Sequence, residues 1–198
     1  VFGDLGLRLS KQDGQEVITT YKLGVGHNFS KEISLRATYA TGFKSPSLYQ
    51  LSTNDKLEST ESSSADVTLS YNGHLHHLEF AYFDNSYTNQ ITYSIQDSAY
   101  ANIQDSNVYG YELSLESKIT SKAMIKNSFT LTKSKNEVTG KQLLKTPKKL
   151  WNSQVKYQMT PNFALQSNLV YVGQRYEFGQ RRMPSYLVVN TSLNYKAL

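Results

Sequence analysis

Segment after segment of this chain places large apolar side chains on one parity and polar or charged ones on the other. Between residues 150 and 159, Trp151, Val155, Tyr157 and Met159 share one parity; Asn152, Gln154, Lys156 and Gln158 share the other. Successive side chains of a β-strand point to opposite faces, so such a segment builds a sheet with a greasy side and a wet side. The pattern recurs about ten times, and the intervening connections alternate between short and long. That combination marks an antiparallel transmembrane β-barrel.

The expected outward positions are Leu5, Leu7 and Leu9; Val17, Tyr21, Leu23, Val25 and Phe29; Ile33, Leu35, Ala37 and Tyr39. Val67, Leu69 and Tyr71 follow, then Leu78, Phe80 and Tyr82, then Tyr109, Tyr111, Leu113 and Leu115, then Ile125, Phe129 and Leu131. After the 150–159 set come Phe163, Leu165, Leu169 and Tyr171, and finally Leu187, Val189, Leu193 and Tyr195. The alternate positions hold Asp4, Arg8, Lys22, Arg36, Asp66, Glu79, Glu112, Glu116, Lys126 and Lys156, and no ionic residue interrupts an outward set. An arginine or lysine facing lipid at mid-bilayer costs roughly 2–4 kcal/mol, whereas a soluble sheet tolerates such residues at strand ends on either face. The clean separation therefore points to lipid.

Bulk properties agree once the alternation is taken into account. The hydrophobic share, 38%, resembles that of a soluble protein because only every second strand residue meets lipid. No run approaches the ~20 apolar residues of a membrane-spanning helix. Tyrosine is abundant (15) and proline scarce (4), as strands prefer. Tyr39, Tyr71, Tyr82, Tyr109, Trp151, Phe163, Tyr171 and Tyr195 fall near strand ends, where amphipathic rings form interfacial girdles. Cysteine is absent, which excludes disulfides, zinc–thiolate sites and a cysteine nucleophile. The Val1 start carries no signal-peptide pattern, so an exported chain with this start is expected to be processed or to be a piece of something longer. A net charge of +5 suits anionic lipid or an anionic ligand and does not by itself imply nucleic acid.

Residues 28–32, 72–76, 117–122 and 160–162 read as tight turns, and 42–62, 84–106, 133–148 and 173–185 as long connections. The short set belongs on the periplasmic side and the long set outside. The turn at 11–15 is short although parity puts it outside.

Two stretches go beyond a generic barrel. In LRATYATGFKSPSLYQL (Leu35 to Leu51), Gly42 permits a sharp exit from a strand and Pro46 stiffens the loop. In YANIQDSNVYGYELSLE (Tyr100 to Glu116), Tyr100 and Asn102 end a loop strand, and Gly110 and Glu112 lie inside the next membrane strand. A strand-interior glycine marks a bend or the close approach of another backbone. Both stretches resemble the barrel of TonB-dependent outer-membrane receptors, with their G-[FY]-[KR]-x-P-x-L and Y-x-N…G-x-E patterns. Leu57, Ser62 and Asp66 match a third family stretch, although Ser59 and Thr60 stand where the family has Pro and Glu. YVGQRY (Tyr171 to Tyr176) and PSYLVVNTSLNY (Pro184 to Tyr195) resemble two more, in the family's order.

The resemblance implies about ten strands of a 22-stranded barrel around a plugged lumen. It makes residues 1–198 a C-terminal part of that barrel, lacking the plug, the early strands and about the last two. It implies the wall and extracellular loops of an active-transport receptor for a scarce, bulky nutrient: cobalamin, a ferric siderophore or haem. No catalysis and no cofactor are implied. Its partners would be outer-membrane lipid and lipopolysaccharide, the nutrient itself, and an inner-membrane TonB-type coupler reached only through the absent plug, with no nucleic acid. Candidate ligand contacts in the loops are Phe43, Tyr49, Tyr93, Tyr100, Arg175, Tyr176, Arg181 and Arg182. The lysines at 133, 135, 141, 145, 148 and 149 face Glu137 alone and suit a solvated or lipopolysaccharide-facing loop. His74, His76 and His77 do not compose a metal site, because an extended chain points His76 and His77 to opposite faces. Asp55, Glu58 and Glu61 lack the dense oxygen spacing of a calcium loop. Two alternatives stay open: a complete small ten-stranded barrel (adhesin, pore or enzyme), and a soluble β-sandwich binding module with its apolar faces packed together.

Overall fold

The computed structural model describes residues 1–11, 17–94 and 97–196, so most of the expected 11–15 turn lies outside the described residues. Ten strands form one antiparallel sheet. They are β1 (Phe2–Ser10), β2 (Ile18–Asn28), β3 (Ile33–Lys44), β4 (Thr60–Asn72), β5 (His76–Ser94), β6 (Ala99–Thr120), β7 (Ala123–Asn136), β8 (Lys149–Gln158), β9 (Phe163–Val172) and β12 (Tyr186–Tyr195). Each strand pairs with the next in sequence, and β9 pairs with β12. A small hairpin, β10 (Arg175–Glu177) with β11 (Arg181–Met183), fills the last long connection.

Register is set by the alternation. A one-residue slip would move a strand's whole apolar set to the other face. Leu35, Leu69, Phe80, Leu113, Phe129, Trp151, Tyr171 and Leu187 form one continuous cross-strand row. These side chains are uncovered: Leu69 is 46% exposed, Leu113 43% and Val189 56%. Leu57, outside the sheet, is the one buried large hydrophobic side chain among the described residues. Among the described residues no second layer packs on the apolar face, so they form no dry interior of the kind a sandwich requires.

The opposite face is ionic and paired. Arg36 reaches Asp4 at 2.6 Å across β2, with Lys22 at 3.5 Å from the same carboxylate. A Cβ at Gly24 would overlap that carboxylate, so glycine keeps the lane open. Lys126 meets Glu116 at 2.6 Å, and the Glu112 carboxylate accepts from the Ser114 and Ser128 hydroxyls, each at 3.3 Å. Gly110 bears out the expectation of a close approach. A Cβ there would strike the Leu131 carbonyl oxygen and the Phe83 ring.

Short turns lie at one end of the sheet. At 29–32 the Ser30 hydroxyl accepts from the Glu32 and Ile33 amides, both at 3.0 Å. At 160–162 the Thr160 hydroxyl accepts from the Asn162 and Phe163 amides. Serine and threonine hydroxyls stabilise tight turns in this way. At the adjoining turn β5 splits the histidines: His76 contacts Ser117, and His77 lies 3.5 Å from Glu79 on the other face.

At the other end three expected connections prove more structured. Residues 84–106 are largely strand, because β5 and β6 run 19 and 22 residues, about twice the 9–11 of a membrane crossing. The 42–62 connection contains a short helix, α1 (Leu48–Thr53). β7 continues through Lys133 and Lys135 to Asn136, so those lysines sit on a strand rather than in a loop. Pairing continues past the apolar rows because water tolerates strand backbone too, and charges enter the outward parity only there.

Two substitutions test this architecture. Leu113→Arg is expected to cost about 2–4 kcal/mol of stability in a bilayer, whereas Ser114→Arg, one residue along and on the polar face, stays within about 0.5 kcal/mol. Urea unfolding in lipid vesicles reads the difference. Gly110→Val forces backbone apart and is expected to lose at least about 1–3 kcal/mol. Phe83→Ala should not rescue it, because the Leu131 carbonyl remains in the way.

Candidate functional site

The long-connection end holds two groups of side chains. The first begins where β3 stops. Pro46 follows, and Ser47 caps α1: its hydroxyl accepts from the Gln50 amide (3.2 Å) while the Gln50 side chain accepts from the Ser47 amide (2.8 Å). This reciprocal box fixes where the short helix starts. The helix and the residues after it are strapped to the β5–β6 ribbon. The Asn54 side-chain amide donates to the Tyr100 carbonyl at 2.9 Å, and the Tyr100 amide donates to the Thr53 hydroxyl at 3.3 Å. Asn102 is the clamp. Its side-chain oxygen accepts from the Glu58 amide (2.8 Å), and its nitrogen donates to the carbonyls of Glu58 (3.0 Å) and Asn89 (2.7 Å).

Asn89 sits where the register shifts between Tyr87 and Ile91, with φ of 53°. Asparagine tolerates this left-handed backbone better than most residues. Its side chain donates to the Glu58 carboxylate (3.1 Å), and its own amide donates to Asp105 (3.2 Å). Leu57, within the strapped stretch, is buried.

Three tyrosines meet on this scaffold. Tyr93 and Tyr100 are register partners, with ring centroids 5.3 Å apart and planes at 74°. Tyr49 comes from α1 and packs edge-on against Tyr100 at 6.1 Å. Two register shifts, between Tyr87 and Gln90 and between Gln90 and Ile91, separate the cluster from the membrane stretch of β6, so the alternation set by Gly110 and Glu112 is not continuous up to Tyr100. Tyr49 remains 70% exposed and Tyr93 48%, which leaves ring surface free for a partner.

The second group is the β10–β11 hairpin, turned through Gly179 and Gln180, both at positive φ. Tyr176 pairs with Arg182, and Arg175 with Met183. The Arg175 guanidinium lies 5.2 Å over the Tyr186 ring, and its Nη1 is buried without a hydrogen-bond partner. Arg181 and Arg182 are exposed. The Lys145 amide donates to the Tyr176 carbonyl at 2.7 Å and ties the neighbouring loop to the hairpin.

The structure thus brings Tyr49, Tyr93 and Tyr100 together, and groups Arg175, Tyr176, Arg181 and Arg182 separately, with β7, β8 and β9 between the two. Phe43 joins neither. It occupies the outward parity of β3 opposite Glu61, beside a shallow recess that also includes Tyr21 and Tyr39. Sequence reading singled out Asn102 through its spacing from Tyr100. It missed Asn54 and Asn89 and weighed Glu58 only as a calcium ligand, because their partners lie far along the chain.

The apolar sheet without a second layer, the ionic opposite face and the structured rim define a membrane barrel wall. The description "TonB dependent receptor-like, beta-barrel" matches residues 3–197, and the chain belongs to this family of Gram-negative outer-membrane proteins. It is 25% identical over 194 residues to the vitamin B12 transporter BtuB of Vibrio cholerae serotype O1, covering 89% of this chain and 30% of that protein. It is 23% identical over 192 residues to the ferric enterobactin receptor of Pseudomonas aeruginosa, covering 77% and 26%. The fold matches a crystal structure of that receptor in complex with enterobactin at a TM-score of 0.86 and 22% identity, over 98% of this chain and 35% of that one. The chain therefore spans about a third of the length of these relatives.

Asn102→Ala is expected to free the strap. Losing the clamp should lower the cost of opening residues 54–60 by about 1–3 kcal/mol, seen as faster amide hydrogen exchange at Glu58. The heat-modifiable migration of the folded barrel should not change.

Proposed function

We propose that this chain forms part of the wall and extracellular rim of an active-transport receptor that captures a scarce, bulky nutrient: cobalamin, a ferric siderophore or haem. The observation that carries the reading is the open cluster of Tyr49, Tyr93 and Tyr100 at the long-connection rim, in a chain of this family. Rigid aromatic rings offer large contact area at low entropic cost, which suits a flat or conjugated ligand. Arg175, Arg181 and Arg182 would meet acidic groups on such a ligand from the neighbouring hairpin.

The reading includes a larger assembly. β1 and β12 each pair on one side only in the described sheet. Open edges are not tolerated within lipid, so further strands would close the barrel, as in a 22-stranded receptor with a plugged lumen. An inner-membrane coupler would act through the plug, not through these residues. Support for a transport role rather than catalysis comes from the relatives, a vitamin B12 transporter and a ferric enterobactin receptor.

Deletion of the gene in its native host is expected to abolish growth when one of cobalamin, a ferric siderophore or haem is the single source supplied. Normal growth on all of them would refute the proposal. With the nutrient in hand, Tyr49→Ala and Tyr100→Ala should each weaken its binding by about tenfold, as for an aromatic anchor worth about 1–2 kcal/mol. Titration calorimetry at equal folded protein reads it.

A further inference from the structure

β4 begins at Thr60, with Glu61 opposite Thr88 of β5, while β5 runs on to Ser94. The chain reaches Thr60 from the side, out of the strap held at Glu58 and Asn89. The lane that β4 fills lower down is therefore vacant beside residues 90–94, and it is one strand wide, about 5 Å. Tyr100 shows which backbone groups face it. In an antiparallel pair the amide and carbonyl of one residue point to the same side. The Tyr100 amide donates to the Thr53 hydroxyl and its carbonyl accepts from the Asn54 side chain, so both turn away from β5. Its register partner Tyr93 then turns its own amide and carbonyl away from β6, into the vacant lane. Ile91 does the same one repeat below, because pairing is regular from Ile91 to Ser94. Thr92 and Ser94 turn theirs inward to β6.

Among the described residues, no hydrogen bond reaches the outward-turned amides and carbonyls of Ile91 and Tyr93. An open edge of this kind is a template for another strand, and proteins guard such edges with charge or proline. Gln90, Ile91, Thr92, Tyr93 and Ser94 include neither, and isoleucine, threonine and tyrosine favour strand. At the foot of the lane a recess of about 370 Å³ lies between Lys44, at the end of β3, and Gln90, Ile91 and Thr92, with Thr60 bordering it. Lys44 is exposed, and no carboxylate among the described residues pairs with it. Hydrocarbon cannot satisfy these alternating donors and acceptors, and a compact solute does not match their two-residue repeat. Another extended backbone does. β5 runs toward the long connections, so a strand antiparallel to it runs the other way and ends beside Lys44.

We propose that the open edge of β5 at Ile91 and Tyr93 binds the C-terminal end of an extended peptide as an added antiparallel strand, with the peptide's terminal carboxylate on Lys44. Backbone pairing supplies the affinity, and the ammonium group fixes direction and register. The site uses the edge of the β5–β6 ribbon, whereas nutrient capture uses the ring faces of Tyr49, Tyr93 and Tyr100. It is therefore independent of which nutrient is carried.

The test uses the natural polypeptide containing residues 1–198, folded in detergent, and a fluorescent hexapeptide of alternating valine and threonine with a free C-terminal carboxylate. Two control peptides share its sequence: one ends in a carboxamide, and the other is N-methylated at every residue and cannot donate to a ladder. By fluorescence polarisation the free acid should bind about tenfold more tightly than the carboxamide, and the N-methylated peptide should not bind. Lys44→Gln should erase the difference between acid and carboxamide, and Lys44→Arg should keep it. Ile91→Pro removes one edge amide and no bond of the β5–β6 ladder, and should weaken the free acid at least about tenfold. Ile91→Val, which keeps the amide, should match wild type. Heat-modifiable migration confirms that each variant is folded. Residue-resolved hydrogen exchange should show Ile91 and Tyr93 exchanging faster than Thr92 and Ser94, and the free-acid peptide should slow that pair. Protection of Ile91 and Tyr93 without peptide would overturn the proposal, by showing that another segment fills the lane. Equal binding of the N-methylated peptide or the carboxamide, an acid preference that survives Lys44→Gln, or unchanged binding by Ile91→Pro would overturn it too.

Discussion

The hydrogen bond between neighbouring strand backbones is the interaction on which the rest of this structure depends. Inside a bilayer no water is available to satisfy a peptide group, so every amide and carbonyl must find its partner across the sheet. The continuous pairing from β1 to β9 and on to β12, with its register shifts outside the apolar rows, meets that demand strand by strand. Once pairing is fixed, the two faces follow with no further choice, because the pleat alternates side chains. The apolar row from Leu35 to Leu187 and the ionic pairs Asp4–Arg36 and Glu116–Lys126 are opposite consequences of one backbone arrangement.

The same pairing, carried past the membrane, builds the rim. β5 and β6 keep their ladder well above the aromatic belt and become a platform. A polar strap then settles on it, held by Asn54, Asn89 and Asn102 rather than by a hydrophobic core; Leu57, in the strap, is the one buried large apolar side chain among the described residues. Hydrogen-bonded docking of this kind suits a surface that must display aromatic rings instead of consuming them. Gly110, lower on the same strand, admits the Leu131 backbone and the Phe83 ring. The motif spanning Tyr100 to Glu112 thus joins an aromatic contact, a loop clamp, a close backbone approach and a polar-face carboxylate along one strand.

Labour is divided by face and by height. The polar face carries the charged side chains within the membrane, among them the pairs Asp4–Arg36 and Glu116–Lys126. The outward face carries hydrocarbon within the membrane and, on β7 and β8, cations above it. Aromatic rings mark the transition, as Tyr109 does beneath Lys133.

The alternation was legible from residue types alone. Lipid exclusion acts on single positions, so the outward sets, the strand count and the short turns needed no tertiary information. The hidden part consisted of long-range choices. Nothing local tells Asn102 to meet Glu58, 44 residues away, or tells Asn89 to shift the register. The length of β5 and β6 was equally hidden, because polar strands above a membrane alternate without the apolar signal that reveals them below. Phe43 illustrates the limit most plainly: its chemistry suggested a ligand contact in a loop, and only the unbroken continuation of β3 to Lys44 carried the outward parity of Tyr39 on to it. The sequence by itself determined which face meets lipid, since a single buried charge there is costly. The tertiary structure alone decided which loops dock, which rings meet and which edge stays open, since those depend on pairings between residues that the chain keeps far apart.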